Sequence, residues 1–326
     1  MHGVPKREKK QVTAKYKGCI HNMSRVNKIY NHALNLSRRK AFVFFQKMGL
    51  HLTPNHFYIP IPDTRKLKMD LWKEPSDLNG IDINEEEQIK LLAMFSSKFK
   101  DEYEKIPRDK TSIPHQYYLN NGAFESVDAE ILYCMIRHFK PRKVFEIGSG
   151  YSTYLAAQAV LKNEEDGYDE CELIAFEPYP NDTLKSGFHG LSKLVTAKIQ
   201  DVPSSRFNEL NENDILFIDS SHVLMIGSDV QYEYLNIMPK LNKGVLVHIH
   251  DIFLPAEYPK EWILEDFRFW NEQYLLQAFL IYNQAFEVLW MGNFMNLMHS
   301  NELETAFSSY EKGKISPGSF WMRKKI

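Results

Sequence analysis

The chain has 326 residues, 44% of them hydrophobic and 25% charged, with a net charge of −2. That composition suits a globular protein of one large domain or two smaller ones. No stretch reaches the ~18 apolar residues of a membrane span, and no apolar signal-peptide core follows the basic start.

Charge is unevenly spread. Residues 1–40 carry 11 Lys/Arg and one acid, Glu8, while the remainder is acidic. A basic arm of this kind marks nucleic acid, an anionic membrane surface or a solvated helix. Cys19, Cys134 and Cys171 have no metal or redox spacing and read as reduced thiols. The expected location is the cytoplasm.

In chain order, residues 1–12 read as disordered. Apolar residues from Met23 to Phe45 at mixed helical spacing predict one or two helices ending at Gly49. Two prolines in Asn55–Asp63 force an extended path there, a loop or edge strand whose aromatics either line a pocket or, as preferred, cover the core. A charge-rich amphipathic helix is predicted over 84–105, and a linker with Pro107 and Pro114 over 106–116. Tyr117–Phe124 is a polar-aromatic loop that either covers a ligand or merely connects. A helix over 126–139 follows, with Asp128 and Glu130 where the helix dipole favours acids.

From 143 onward the pattern alternates. Strands are predicted at 143–147, 172–176, 194–199, 214–218, 244–249, 286–290 and 319–323. A long helix is predicted over 262–282, and 163–171 reads as an acidic surface insertion. Short apolar runs between longer amphipathic ones imply a parallel sheet covered on both faces. The expected class is therefore α/β, doubly wound. The expected domains are a basic arm with a helical cap over 1–115 and a ligand-binding domain over 116–326.

The chain is organised around Lys143–Tyr151. An apolar strand ends in Glu146, and Gly148 and Gly150 follow at once, leading into a helix-like run. Strand, Gly-rich turn and helix N-terminus together form a nucleotide-type ligand site. The dinucleotide fingerprint needs a third glycine, but that position is Thr153. Glu146 repels a pyrophosphate and suits a ligand with an amino group, such as S-adenosylmethionine.

In such a sheet ligands bind beyond the carboxyl ends of the strands. The second strand is followed by Glu177-Pro178-Tyr179, where an acid can accept both ribose hydroxyls and Tyr179 can stack on adenine. Gln200, Asp201 and Val202 follow the third strand, and a polar group there can take the adenine amino group. The fourth strand ends at Asp219-Ser-Ser-His222 and the fifth at His250-Asp251.

With these motifs the sequence resembles the class I S-adenosylmethionine-dependent methyltransferases. The motifs are Val-Phe-Glu-Ile-Gly-Ser-Gly-Tyr-Ser (144–152), Ala-Phe-Glu-Pro (175–178), Asp-Ile-Leu-Phe-Ile-Asp-Ser-Ser-His (214–222) and Gly-Val-Leu-Val-His-Ile-His-Asp (244–251). The resemblance is to the bacterial group called methyltransferase family 24 and covers about residues 117–323. It implies a seven-stranded Rossmann-like sheet with a reversed last hairpin. It also implies that Glu146, Gly148, Ser149 and Gly150 hold the methionine part of the cofactor. Glu177 would face the ribose and Gln200 to Val202 the adenine, with Pro178 and Asp219 also among the cofactor-binding residues.

The second constellation is Asp219, His222, His248, His250 and Asp251. In the related metal-dependent O-methyltransferases, acids after strands four and five bind Mg²⁺, and here the matching places are Asp219, His250 and Asp251. A histidine among them points to Mn²⁺ or Fe²⁺ rather than Mg²⁺, or to no metal. Without a metal, His222 or His250 serves as general base beside Asp251. A structural role is the remaining alternative, and His248, in mid-strand, reads as a core histidine.

The expected activity is O-methylation of a small molecule or sugar. The alternatives are N-methylation of a peptide or protein, and RNA methylation through the basic arm. Nucleic acid ranks low as a partner because the body of the chain is acidic, and an oligomer remains open.

Overall fold

The computed structural model describes residues 39–326, which fall into two units, one up to Lys66 and the other Leu67–Ile326. The expectations of disorder over 1–12, of helix before residue 39 and of a nucleic-acid role for residues 1–38 lie outside the described residues. In the first unit a helix spans 39–47 and stops before Gly49, whose φ is +78°. Phe57 and Tyr58 are each 81% exposed rather than covering a core.

The second unit carries seven strands: β1 Lys143–Ile147, β2 Glu172–Phe176, β3 Lys193–Val195, β4 Ile215–Ile218, β5 Leu246–Ile249, β6 Phe286–Met291 and β7 Phe320–Lys324. Their order is β3-β2-β1-β4-β5-β7-β6. Strands β1 to β5 pair in parallel, whereas β7 is antiparallel to both β5 and β6. The doubly wound sheet with its reversed last hairpin is thus present. β4 and β5 are buried along their whole length, as continuous runs such as Ile-Leu-Phe-Ile demand in a sheet covered on both faces.

The segment 67–115 belongs to the same unit as the sheet. Its helix Glu85–Tyr103 buries Leu92, Phe95, Phe99 and Tyr103 on one stripe. Arg137, on the helix Asp128–Phe139, joins three helices. It is 4% exposed and donates to Glu102 at 2.7 Å, to Asn163 and to Asp166. Residues 163–165 therefore finish the helix Tyr151–Glu165, and only the part beyond is the expected surface insertion. The third strand is shorter than expected: it ends at Val195, where Ala197 N turns back to the Val195 carbonyl at 3.0 Å, and a 3-10 helix follows at Ile199–Asp201.

The helix expected over 262–282 is broken. Helices Lys260–Leu264 and Glu272–Leu280 flank an irregular segment in which Phe267 has φ +57°. The break has a cause in the backbone hydrogen bonds. Asn271 N and Glu272 N donate to the His222 carbonyl at 3.1 and 3.3 Å, so they are committed to the loop after β4. A continuous helix would have to give up both. Among the described residues no helix is long and apolar enough to cross a membrane, and Cys134 and Cys171 are free and buried.

Candidate active site

Beyond Ile147 the chain turns at Gly148, whose φ is +80°. A Cβ at that position would lie 1.9 Å from the carbonyl oxygen of Asp219. Glycine alone tolerates both the dihedral and the contact. The turn therefore seats the end of β1 against the end of β4, and it brings the two halves of the site together.

Glu146 is 1% exposed. Its Oε1 accepts from Ser152 Oγ at 2.6 Å, while its Oε2 has no partner. Ser149 Oγ is likewise without one. Burial raises the Glu146 carboxyl to about pKa 8. A buried polar atom left unpaired costs about 1–3 kcal/mol, and a ligand that donates to it removes that cost. An ammonium group suits this oxygen, so the turn fits the amino acid end of S-adenosylmethionine.

Glu177 fixes the neighbouring turn. It accepts from Ser149 N at 3.3 Å and from Tyr179 N at 2.7 Å, which ties the loops after β1 and β2 together. Pro178 is half-buried, and the Tyr179 side chain is free at 78% exposure. Gln200 donates to the Gly227 carbonyl at 3.2 Å, and Asp201 beside it is exposed. A cavity of about 360 Å³ opens beside Gly150, lined among others by Lys110, Gln116, Tyr118, Tyr151 and Asn181.

The other half is assembled from side chains. His222 Nε2 lies 3.3 Å from Asp219 Oδ1 and 3.4 Å from Asp251 Oδ2, and its Nδ1 lies 3.0 Å from Glu272 Oε2. His222 and Asp251 both have positive φ, +59° and +55°. Such backbone is strained for a residue with a side chain and clusters at functional sites. The ligand atoms of Asp219, His222 and Asp251 all fall within 4.8 Å of one another. The converging trio thus contains His222 where His250 was expected.

His250 is placed next to the trio. Its Nδ1 is 3.5 Å from Asp219 Oδ1 and 3.8 Å from Asp251 Oδ1, and its Nε2 is turned to Asp128 Oδ2 at 3.5 Å. Asp128 also accepts from Gly318 N at 2.8 Å and Ser319 N at 2.9 Å, so it anchors the approach to β7. The Phe124 ring lies 5.0 Å from that of His250, and Tyr118 Oη lies 3.0 Å from Tyr151 Oη. The loop 117–124 therefore touches both halves of the site. His248 is the expected core histidine. It is fully buried, stacks 3.9 Å from Phe217 and bonds Ser319 Oγ at 2.9 Å.

Burial disfavours charge on each of these groups; pairing overrides it at Asp219, His222 and His250, but burial still holds the Asp251 and Glu272 carboxyls above their ordinary range. Burial works to raise the Asp219 carboxyl, but His250 and His222 hold it well below the usual range. Burial works to lower His222, but its bonds to Asp219 and Glu272 hold it up at about 10. At His248 nothing opposes burial, and the imidazole is pushed well below its ordinary value. Four acids, Asp219, Asp251, Glu272 and Asp128, surround the two histidines.

Sequence reasoning missed two members of this cluster. Asp128 was read only as a first-turn acid, and Glu272 was hidden inside the helix expected over 262–282.

A methyltransferase domain family matches residues 145–252, from β1 to just past Asp251. An uncharacterised protein of Archaeoglobus fulgidus is 33% identical over 193 residues, covering 55% of this chain and 86% of that protein. Among solved structures, the plantazolicin methyltransferase BamL, in complex with a triazolic desmethylPZN analog and SAH, is 15% identical with TM-score 0.36, over 74% of this chain and 97% of that one. An O-methyltransferase from Bacillus cereus in complex with SAH is 12% identical with TM-score 0.37, over 73% and 90%. Likeness at that level says nothing of an acceptor. The sheet order, the glycine turn below Asp219 and the matched domain converge on one assignment: the chain belongs to the class I S-adenosylmethionine-dependent methyltransferases.

Proposed function

We propose that the enzyme methylates a hydroxyl of a small molecule, sugars included, with the acceptor oxygen placed at Asp219, His222 and Asp251. The observation that carries this reading is the convergence of those three ligand atoms, joined to the cofactor turn by the Gly148–Asp219 contact. The cavity beside Gly150 is of a size that takes a small ligand.

Glu146 Oε2 receives the ammonium group, Ser149 and the Gly148 turn hold the methionine end, and Glu177 faces the ribose. Gln200 and Asp201 border the adenine. When bound, S-adenosylmethionine supplies a methyl group already activated on a sulfonium. Asp219 Oδ1, His222 Nε2 and Asp251 Oδ2 would hold a divalent cation, which lowers the pKa of a hydroxyl. Two carboxylates with one imidazole suit Mn²⁺ or Fe²⁺ as well as Mg²⁺. The remaining work is alignment, because in-line transfer depends on holding the two reactants at the right separation. Phe124 and Trp270 cover His250 and His222 and keep water from their rings.

The test is a transfer assay with methyl-labelled S-adenosylmethionine, Mn²⁺ and a panel of sugar and aromatic hydroxyl compounds beside matched amines. Labelled methyl ethers whose formation stops on chelation are expected. Label recovered only on amines, or on RNA, would overturn the O-methylation reading.

A further inference from the structure

The segment Trp270-Asn271-Glu272 grips His222 from three directions. The Trp270 ring lies 4.4 Å from the His222 ring, centroid to centroid. Asn271 N and Glu272 N both donate to the His222 carbonyl. Glu272, fully buried, faces His222 Nδ1 at 3.0 Å. None of these groups reaches the open side of the cluster, where Asp219 is 30% exposed. Within the cluster they meet His222, while the Trp270 ring also packs against Trp262 and Tyr258.

From this geometry we infer that Glu272 is a positioning residue, which fixes the tautomer and ring orientation of His222 so that Nε2 is presented to the cation site. Glu272 is an acceptor, so Nδ1 keeps its proton on that side, and Nε2 is the nitrogen left to ligate a cation seated between Asp219 and Asp251. Nε2 points into the space between Asp219 Oδ1 and Asp251 Oδ2. Carboxylate partners on the far nitrogen of a ligating histidine orient it and raise its basicity, and losing one weakens metal affinity by about 10–100-fold. The backbone bonds from 271 and 272 add a second constraint. They hold His222 at φ +59°, a conformation it would otherwise leave. The broken helix between 264 and 272 thus has a use: its break lets Asn271 and Glu272 meet the loop after β4.

The inference rests on the cation site proposed above, and the experiment separates the two. The full chain is titrated with Co²⁺ as probe, followed by its visible absorption, for the unsubstituted chain and for Glu272→Gln. Affinity for S-adenosylmethionine, which depends on Glu146, is measured beside it as the test of folding. The expected result is Co²⁺ binding weakened by about 10–100-fold in Glu272→Gln, with an altered absorption band and unchanged cofactor affinity. Glu272→Asp keeps the charge on a shorter arm and should fall between the two. It also carries the test if Glu272→Gln does not fold. Equal Co²⁺ affinity and an identical band in all three proteins would overturn the positioning role. Absence of Co²⁺ binding by the unsubstituted chain would overturn the cation site itself, and this role with it.

Discussion

At the β1–β2 end the ligand edge is mostly backbone, whereas at the β4–β5 end it is almost wholly side chain. The first end is a turn set by Gly148, with Ser149 N and Tyr179 N tied to Glu177 and one carboxylate oxygen of Glu146 left bare. The second is a lattice of two histidines and four acids drawn from positions 128, 219, 222, 250, 251 and 272. One end leaves a buried carboxylate oxygen of Glu146 without a partner, while the other is cross-linked by its own side chains. The first end is built from short contiguous motifs, the second from residues scattered along the chain.

The most disruptive change should be one that strikes both ends. Gly148→Ala puts a Cβ into the Asp219 carbonyl at a φ that side chains avoid. It should cost about 3 kcal/mol or more in urea unfolding and abolish cofactor binding. A smaller loss than about 1 kcal/mol would mean that the two ends do not touch as described.

Asp219→Asn should separate the ends. Cation affinity should drop by more than the ~10–100-fold that loss of an outer partner costs, and cofactor affinity should hold within about threefold, both by calorimetry. The mirror experiment is Glu146→Gln. Losing a charge-assisted bond of about 1.5–3 kcal/mol should weaken S-adenosylmethionine by about 10–100-fold and leave Co²⁺ binding alone.

Acidity sharpens the contrast further. The Glu146 carboxyl stands at about 8 in the folded chain against an ordinary 4.5. The folded state therefore binds more protons than the unfolded state between those values, and stability without cofactor should fall as pH rises from about 4.5 to about 8. Glu146→Gln should flatten that part of the curve. Binding an ammonium at an ionised Glu146 releases its proton, so cofactor affinity should rise toward pH 8. Calorimetry in buffers of different ionisation heat should then show proton release below pH 8. The smallest effect belongs to Tyr179→Ala. The ring is exposed, so thermal stability should shift by less than about 0.5 kcal/mol.

Much of the first end was legible in sequence. β1, β2 and β4 announce themselves as apolar runs; Glu146 stands inside β1, and Gly148, Gly150 and Glu177 follow closely on β1 and β2. The loop after β4 was legible only as a set of residue types. Its three-dimensional use depends on His222 adopting positive φ, which no periodicity signals. Glu272 was hidden for a related reason. The apolar spacing of 262–282 reads as helix, but two backbone donors at 271 and 272 find a better acceptor in the His222 carbonyl. Asp128 was visible as an acid at a helix start, where the dipole alone would explain it. Only the return of the chain at Gly318 and Ser319 shows its second use.

The most direct measurement is a calorimetric titration of the chelated full chain with S-adenosylmethionine, followed by Mn²⁺. One cofactor per chain without cation is expected, then a second heat on adding Mn²⁺ that Asp219→Asn removes. No heat from S-adenosylmethionine under either condition would contradict the assignment of the Glu146 turn as the cofactor site.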